Sequence, residues 1–351
     1  MFEWIVSPEN LFMAWREFRR GKRAKPDVQA FERHLEDEIF SLHGELVEGR
    51  YRHGPYHRFH VFDPKHRVIH KATVRDRLVH HAIHRVLTPM FDRSFVHDSY
   101  SCRIGKGTHA AVRRLEGFVR RVSRNYRQPC WALQFDIRKF FDSVDHDILL
   151  QLLARKVRDE RTNGLLEEIV RSYRPLDCVG GGGRLVDRFG SYAGRGVPIG
   201  NLTSQLFANV YLDGLDHFAK EVLRLPYYIR YADDVVILHE DPVVLAELLE
   251  PIRAWLWNKR RLELHPRKVT IRKLSWGIDF LGYVTLPHHR VLRTKTKRRM
   301  FARVNTKNIA SYFGLLQHCE GRLLRRRLLS VVAARGTEAR GMLSLYVGDE
   351  R

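Results

Sequence analysis

A chain of 351 residues with 44% hydrophobic side chains can bury a sizeable core and divide into two or three subdomains. Its charge is one-sided: 62 Lys and Arg against 40 Asp and Glu leave +22, with an isoelectric point near 10.2, which points to a polyanionic partner, nucleic acid first. Cys102, Cys130, Cys178 and Cys319 are widely spaced with no Cys-x-x-Cys pair, so neither a zinc site nor a disulfide framework is indicated; no apolar run approaches a membrane span and no signal-peptide pattern opens the chain, so a soluble, cytoplasmic protein with no membrane partner is expected.

From the N-terminus, residues 10–48 repeat apolar positions at helical spacing (Leu11, Ala14, Phe18, then Phe31, Leu35, Ile39, Leu42), broken by a basic turn from Arg20 to Pro26. Tyr51 to Ile69 has two prolines and little helical period, and reads as short strands. Lys65, Arg67, Lys71, Arg75 and Arg77 then crowd the approach to a helix from Asp76 to Leu87. They suit either a solvated face or the grip on a triphosphate. His80, His81 and His84 share a face of that helix, but no His-Glu-x-x-His accompanies them, so core or surface histidines are expected.

Gly105-Lys106-Gly107 precedes a helix that Thr108 would cap; the turn is open between a phosphate contact and a plain loop, and it lacks P-loop spacing. Cys130 to Ile137 is a nearly continuous apolar run, a buried strand, with Asp136 near its end. Asp145 reads as the N-cap of a helix from His146 to about Lys156, whereas Asp142 stays ambiguous. Gly180 to Gly196 is glycine-rich and loop-like. Helical period returns over Leu202 to Lys220, and again over 243–260. Leu262-Glu263-Leu264 and Val269-Thr270-Ile271 look like a strand pair turning at Pro266. Residues 290–327 hold twelve Lys and Arg against Glu320 alone, beside Phe301, Tyr312 and Phe313. That pattern suits a solvated face or a helical lobe that tracks a phosphate backbone.

The most informative stretch is Tyr227 to His239, two apolar strand-like runs flanking Asp233-Asp234. Adjacent carboxylates repel, and burying them is costly without a cation. A hard divalent ion such as Mg²⁺ takes one or two carboxylates and fills its shell with water and phosphate oxygens. A bare Asp-Asp turn would face water; a second carboxylate-bearing strand, the one ending near Asp136, shifts the reading towards a metal site.

The ordered set resembles the right-hand reverse transcriptases over about residues 50–330. Asp136 stands in Phe-Asp-Ile-Arg-Lys-Phe-Phe-Asp, Tyr231-Ala232-Asp233-Asp234 matches the Tyr-x-Asp-Asp box, and Lys268 with Phe280-Leu281-Gly282 is similar to the downstream lysine and primer-grip motifs. The resemblance implies an α+β fold with fingers, palm and helical thumb, divided as 1–130 (helices and fingers), 131–285 (palm, with a fingers segment near 146–198) and 286–351 (basic thumb and tail). It implies RNA-directed DNA synthesis by two-metal nucleotidyl transfer, with catalytic Asp136, Asp233 and Asp234. Ile137 joins them in the metal set, and the two Mg²⁺ ions, for which Mn²⁺ can substitute, stand about 3.5–4 Å apart.

By the same resemblance Lys65, Arg67, Lys71, Phe141, Ile199, Gly200, Gln205 and Lys268 would meet the incoming nucleotide, Phe141 as the gate against a ribose 2′-hydroxyl or, in the plainer reading, a core ring. Tyr231, Phe280, Leu281, Gly282, Arg325, Arg326 and Arg327 would meet primer and template. Ile199-Gly200-Asn201-Leu202-Thr203-Ser204-Gln205 replaces the Gln-Gly and Ser-Pro of intron enzymes and resembles diversity-generating retroelements, whose enzymes copy template RNA into cDNA with errors opposite adenine. Partners implied are template RNA, cDNA, dNTPs, a structured non-coding RNA and a small, basic, oligomeric accessory protein. An antiphage defence reverse transcriptase and a non-catalytic RNA-binding protein of the same fold are the alternatives.

Overall fold

The computed structural model describes residues 1–62, 66–173 and 194–335. Helices α1 (Phe2–Val6), α2 (Pro8–Phe18), α3 (Pro26–Arg33) and α4 (Leu35–Val47) form the N-terminal lead-in. Leu11, Ala14, Phe18, Phe31, Ile39 and Leu42 all face the core, and Pro8 and Pro26 sit in first turns where no amide donor is lost. Strands β1 (His57–Val61) and β2 (Arg67–Lys71) pair as an antiparallel hairpin ahead of α5 (Val74–Asp92), whose first turn is capped by Thr73. His80, on α5, is a core histidine: it bonds Thr203 Oγ1 at 2.6 Å, and burial pushes its pKa down to about 3. Helix α6 (Thr108–Val122) begins after Gly107 at φ +109°, so the cap falls one residue before Thr108.

The palm-like centre is a four-stranded sheet in the order β4-β5-β3-β6, every neighbour antiparallel: β3 (Trp131–Phe135), β4 (Tyr228–Tyr231), β5 (Asp234–His239) and β6 (Thr270–Lys273). Alternate side chains feed two cores. Leu133, Phe135, Val235 and Ile237 join the core of α2, α5 and three later helices: α8 (His146–Ala154), α9 (Glu160–Ser172) and α10 (Leu202–His217). Ala132, Val236 and Leu238 join a second core with α6 and the C-terminal elements. Burial on both faces explains why these strands read as unbroken apolar runs. The short helix α7 (Phe140–Ser143) links β3 to α8, where Asp145 accepts from the amides of Asp147 and Ile148 at 3.1 Å each, as a helix cap does.

Two expectations are corrected. The 243–260 helix is two, α11 (Pro242–Glu247) and α12 (Leu249–Arg260), with Leu248 between them. Thr270–Lys273 pairs with β3, while Leu264 only bridges Ile137; the long-range edge of an existing sheet wins over the local hairpin. Next come β7 (Ile278–Phe280), β8 (Tyr283–Leu286) and β9 (His289–Leu292), a separate antiparallel sheet, then α13 (Thr294–Arg303), α14 (Ile309–Leu316) and α15 (Arg322–Arg335). The glycine-rich stretch falls mostly outside the described residues, as does Cys178. No helix among the described residues is long and apolar enough to cross a membrane.

Sheet and helix layer are joined by Arg230 of β4 and Asp216 of α10, both wholly buried. Breaking such a pair leaves an uncompensated charge in the core. Asp216→Ala is therefore expected to cost roughly 3–5 kcal/mol, to be checked by denaturant unfolding; a loss below 1 kcal/mol would mean the guanidinium has another counter-charge.

Candidate active site

The acidic residues are brought together by strand register. Phe135 pairs with Val235, so continuing the antiparallel ladder by one step sets Asp136 across from Asp234. Tyr231 pairs with Asp234, leaving Ala232 and Asp233 as a two-residue hairpin turn in which Ala232 takes φ +53°. Asp233 is half-buried, Asp234 exposed. Burial, followed by the charges of Asp234 and Asp136, pushes the Asp233 pKa up to about 6, against an opposing pull from Lys268. That shift expresses first the cost of burying a carboxylate and then that of crowding it with two others.

Asp136 is held on both its backbone and its side chain. Its carbonyl accepts from His265 N at 2.8 Å, and its carboxylate is ion-paired with the Lys268 ammonium. The loop from His265 to Lys268 thus folds over the end of β3 and brings a cation to the acidic cluster. Ile137 contributes no side chain here, being buried in the core. The donor set is all hard oxygen, the kind Mg²⁺ prefers, and the repulsion raising Asp233 is what a divalent cation relieves. No group of three protein ligands among the described residues is already gathered around one point, so substrate oxygens would have to complete any metal's shell.

The other candidates divide. Gly200 (φ +116°) lies against β2: a Cβ added there would stand 3.2 Å from Ile69 Cγ2. Ile199 beside it is half-buried, and Gln205 is exposed. Phe141 is half-buried, edge-on to the fully buried Phe140 with centroids 5.2 Å apart, and its carbonyl accepts from Val197 N at 2.7 Å. The Phe141 backbone is therefore tied to the segment that leads into Ile199. Lys65 falls outside the described residues. Arg67 is exposed on β2, whereas Lys71 is tied to Asp27 at 2.6 Å, a carboxylate it shares with Arg77.

Tyr231 receives a long bond from Thr108 Oγ1, 3.4 Å. Leu281 and Gly282, at φ +52° and +90°, form the tight turn of the β7–β8 hairpin, but Phe280 is buried in the second core, so its ring cannot touch a primer. Arg325 and Arg327 lie over the rings of Phe313 and Phe301 at 4.7 and 5.5 Å, a packing that still leaves guanidinium edges for phosphate. Arg326 is exposed on the same helix. Sequence reasoning missed Arg230, although it stands three residues before Asp233; nothing local marks a strand arginine whose partner is on another element.

The raised Asp233 pKa has a consequence for stability. The folded group holds its proton up to about pH 6 while the unfolded carboxyl releases it near 3.8, so metal-free stability falls as pH rises between those values and then levels off. Asp233→Asn is expected to stabilise the metal-free protein at pH 8 and leave it nearly unchanged at pH 4, by chemical denaturation at both. Equal effects at the two pH values would exclude the raised Asp233 pKa.

Comparison with known proteins bears on this arrangement. The family described as reverse transcriptase (RNA-dependent DNA polymerase) matches residues 62–285, which include β3, β4, β5 and the loop carrying Lys268. Protein YkfC of Escherichia coli is 24% identical over 74% of this chain and 72% of its own length. The group II intron-encoded protein LtrA of Lactococcus lactis is 22% identical over 81% of this chain, which spans only 56% of LtrA. Among solved structures, telomerase from Candida albicans, in complex with a fragment of telomeric RNA, superposes with a TM-score of 0.54 at 12% identity, covering 85% of this chain and 58% of that one; telomerase from Candida tropicalis gives 0.53 at 11%, over 81% and 57%. The fold is thus that of a right-hand polymerase, and with the family match covering well over half of its residues the chain belongs to the reverse transcriptase family.

Proposed function

We propose that this chain copies RNA into DNA by nucleotidyl transfer at Asp136, Asp233 and Asp234, within a palm spanning about 131–285 and with 286–351 as the thumb. The observation that carries the reading is the convergence of three carboxylates where β3 meets the β4–β5 turn, with Asp233 pushed up to about 6 by burial and then by the charges of its neighbours. A module that only bound RNA would gain nothing from an acidic cluster inside a chain of net charge +22. Mg²⁺ or Mn²⁺ held by Asp136 and Asp233, with Asp234 beside them, would supply activation of a primer hydroxyl and neutralisation of the leaving pyrophosphate. The Lys268 ammonium, paired with the Asp136 carboxylate, orients it until substrate arrives. Phe141 would stand as the gate against a ribose 2′-hydroxyl, and the arginines of α15 hold the duplex through phosphates.

The finer proposal is an error-prone enzyme of the diversity-generating type, working with its own template RNA and a small basic accessory protein. Its support is Ile199: an alkyl chain cannot donate the hydrogen bond that glutamine offers at this motif position. A positioned polar contact is worth on the order of 0.5–1.5 kcal/mol, roughly a two- to twelve-fold change in discrimination.

Two outcomes test these readings. Purified protein on an RNA template with a DNA primer is expected to incorporate dNTPs only with a divalent cation, and Asp136→Ala or Asp233→Ala should fall to background while Asp234→Ala loses less; undiminished extension by either of the first two would remove the catalytic assignment. Ile199→Gln should lower misincorporation opposite template adenine more than opposite other bases, read by deep sequencing of cDNA from one RNA. A parent that is accurate at adenine would reject the retroelement assignment.

A further inference from the structure

The β1–β2 hairpin is a sheet of its own, and a lone two-stranded ribbon is marginal in water. Its base is well held: Ile69 lies against Gly200, the Tyr173 hydroxyl bonds His70 Nδ1 at 3.3 Å, and Lys71 pairs with Asp27. Towards the other end β1 is exposed from His57 to His60, and Phe62 beyond it is 72% exposed. Yet the side chains there are packed against one another. The rings of His60 and His66 have centroids 5.0 Å apart and planes 7° apart; Phe62 stacks on His66 at 4.9 Å and 22°, and on His60 at 6.2 Å and 18°. His60 Nδ1 and His66 Nε2 are 2.7 Å apart, a hydrogen bond between two exposed imidazoles.

Strand register explains the meeting. His60 pairs with Val68 and Val61 with Arg67, so one further step of the ladder sets Phe62 across from His66. Successive side chains alternate between the two faces. His60, Phe62, His66 and Val68 therefore share one face, while Arg67 and Ile69 share the other, the face that meets Gly200. Between neutral imidazoles a hydrogen bond needs one nitrogen to donate and the other to present its lone pair. Two imidazole nitrogens this close, carried by facing segments and open to solvent, are also two metal ligands directed at one point.

We infer that His60 and His66 form a clip for a borderline divalent transition-metal ion, Zn²⁺ first, which staples the open end of the hairpin. Neutral imidazole is a ligand that Zn²⁺, Cu²⁺ and Ni²⁺ accept, whereas Mg²⁺ keeps to oxygen, so this site and the acidic one select different ions. With Zn–N bonds of about 2.0–2.1 Å, two nitrogens on a tetrahedral ion stand ~3.3–3.4 Å apart. The pair has to open by roughly 0.6–0.7 Å, a small adjustment for two exposed side chains whose planes Phe62 already aligns. No proton leaves: the ring that donates in the free protein moves its hydrogen to its other nitrogen, and both lone pairs then face the ion. Water fills the remaining positions of the shell. A clip with one ligand on each arm holds only the closed hairpin, so bound metal favours the paired state. The site stands apart from the polymerase reading and does not depend on it.

The test uses the full chain with Mg²⁺ in excess to occupy carboxylates, and zinc chloride as the probe, read by competition with a chromophoric chelator. One zinc equivalent is expected to disappear in both His60→Ala and His66→Ala, or to weaken by at least the roughly tenfold that losing even an outer-shell partner costs. His57→Ala, on the same strand but the opposite face, should bind as the parent does. Hydrogen exchange gives a second readout. Zn²⁺ at about a hundred times its dissociation constant should slow exchange through hairpin opening by about a hundredfold in the parent, with no slowing in either of the first two variants. Zinc binding that is the same in the parent and both of those variants, or that His57→Ala removes equally, overturns the inference. So does zinc that binds through both histidines without slowing exchange, because an ion held by both arms cannot bind without holding them together.

Discussion

The guanidinium of Arg230 is the interaction on which the acidic site depends. Its Nε and one terminal nitrogen bind the Asp216 carboxylate at 2.7 and 2.6 Å; the remaining donors reach Ser99 Oγ at 3.0 Å, Asn209 Oδ1 at 3.4 Å and the carbonyl of Ala232 at 3.1 Å. An arginine offers five N–H groups, and here each has an acceptor, while Tyr228 adds a bond of 2.7 Å to the same carboxylate. Full satisfaction is the condition for placing a charge in a core without several kcal/mol of loss. The Ala232 carbonyl belongs to the turn that bears Asp233. One buried cation thus fixes the turn to α10 and to the Ser99 segment, so one helix, a strand, a turn and a loop share one reference point.

That anchoring explains how a repulsive cluster persists. Three carboxylates near one another would relax apart if the turn were free, and the strained left-handed Ala232 would relax with them. Arg230 is committed to the buried partners behind the turn, while Lys268 is ion-paired with Asp136 and pulls against the rise at Asp233 without cancelling it. Burial first and the residual repulsion second appear as the raised pKa of Asp233. Stability is held back at the one place where a substrate or ion could restore it, the usual relation between a preorganised site and the fold that supports it.

Much of this was legible in the sequence because both faces of the central sheet are buried. Val235-Val236-Ile237-Leu238 and the run through Ala132-Leu133 could only be interior strands, and Asp136 and Asp233 stand out at their ends. Helix caps such as Asp145 were legible for a local reason, since the bond spans three residues or fewer. What escaped was nonlocal. Thr270–Lys273 takes β3 as its partner across more than a hundred residues. The Gly105-Lys106-Gly107 turn stays open in the sequence between a phosphate contact and a plain loop, and only the fold shows Lys106 turned back on His97. Phe280 belongs to a motif but points into the core, because alternation along β7 assigns its face.

Gly200 shows how the fingers-like hairpin and the centre are coupled. Its φ of +116° is a conformation that side chains resist, and the space a Cβ would fill is already limited by Ile69 of β2 at 3.2 Å. Backbone and neighbour therefore demand glycine independently, and the demand fixes how closely β2 approaches the start of α10. From Gly200 the chain enters α10 through buried Asn201 and Thr203, and Thr203 is bonded to His80 on α5. The Ile69 side chain thus links the β1–β2 hairpin to the backbone that leads from Ile199 into the first turn of α10. Any closure of that hairpin over a nucleotide would be felt at the one motif position where this chain carries an alkyl group in place of an amide.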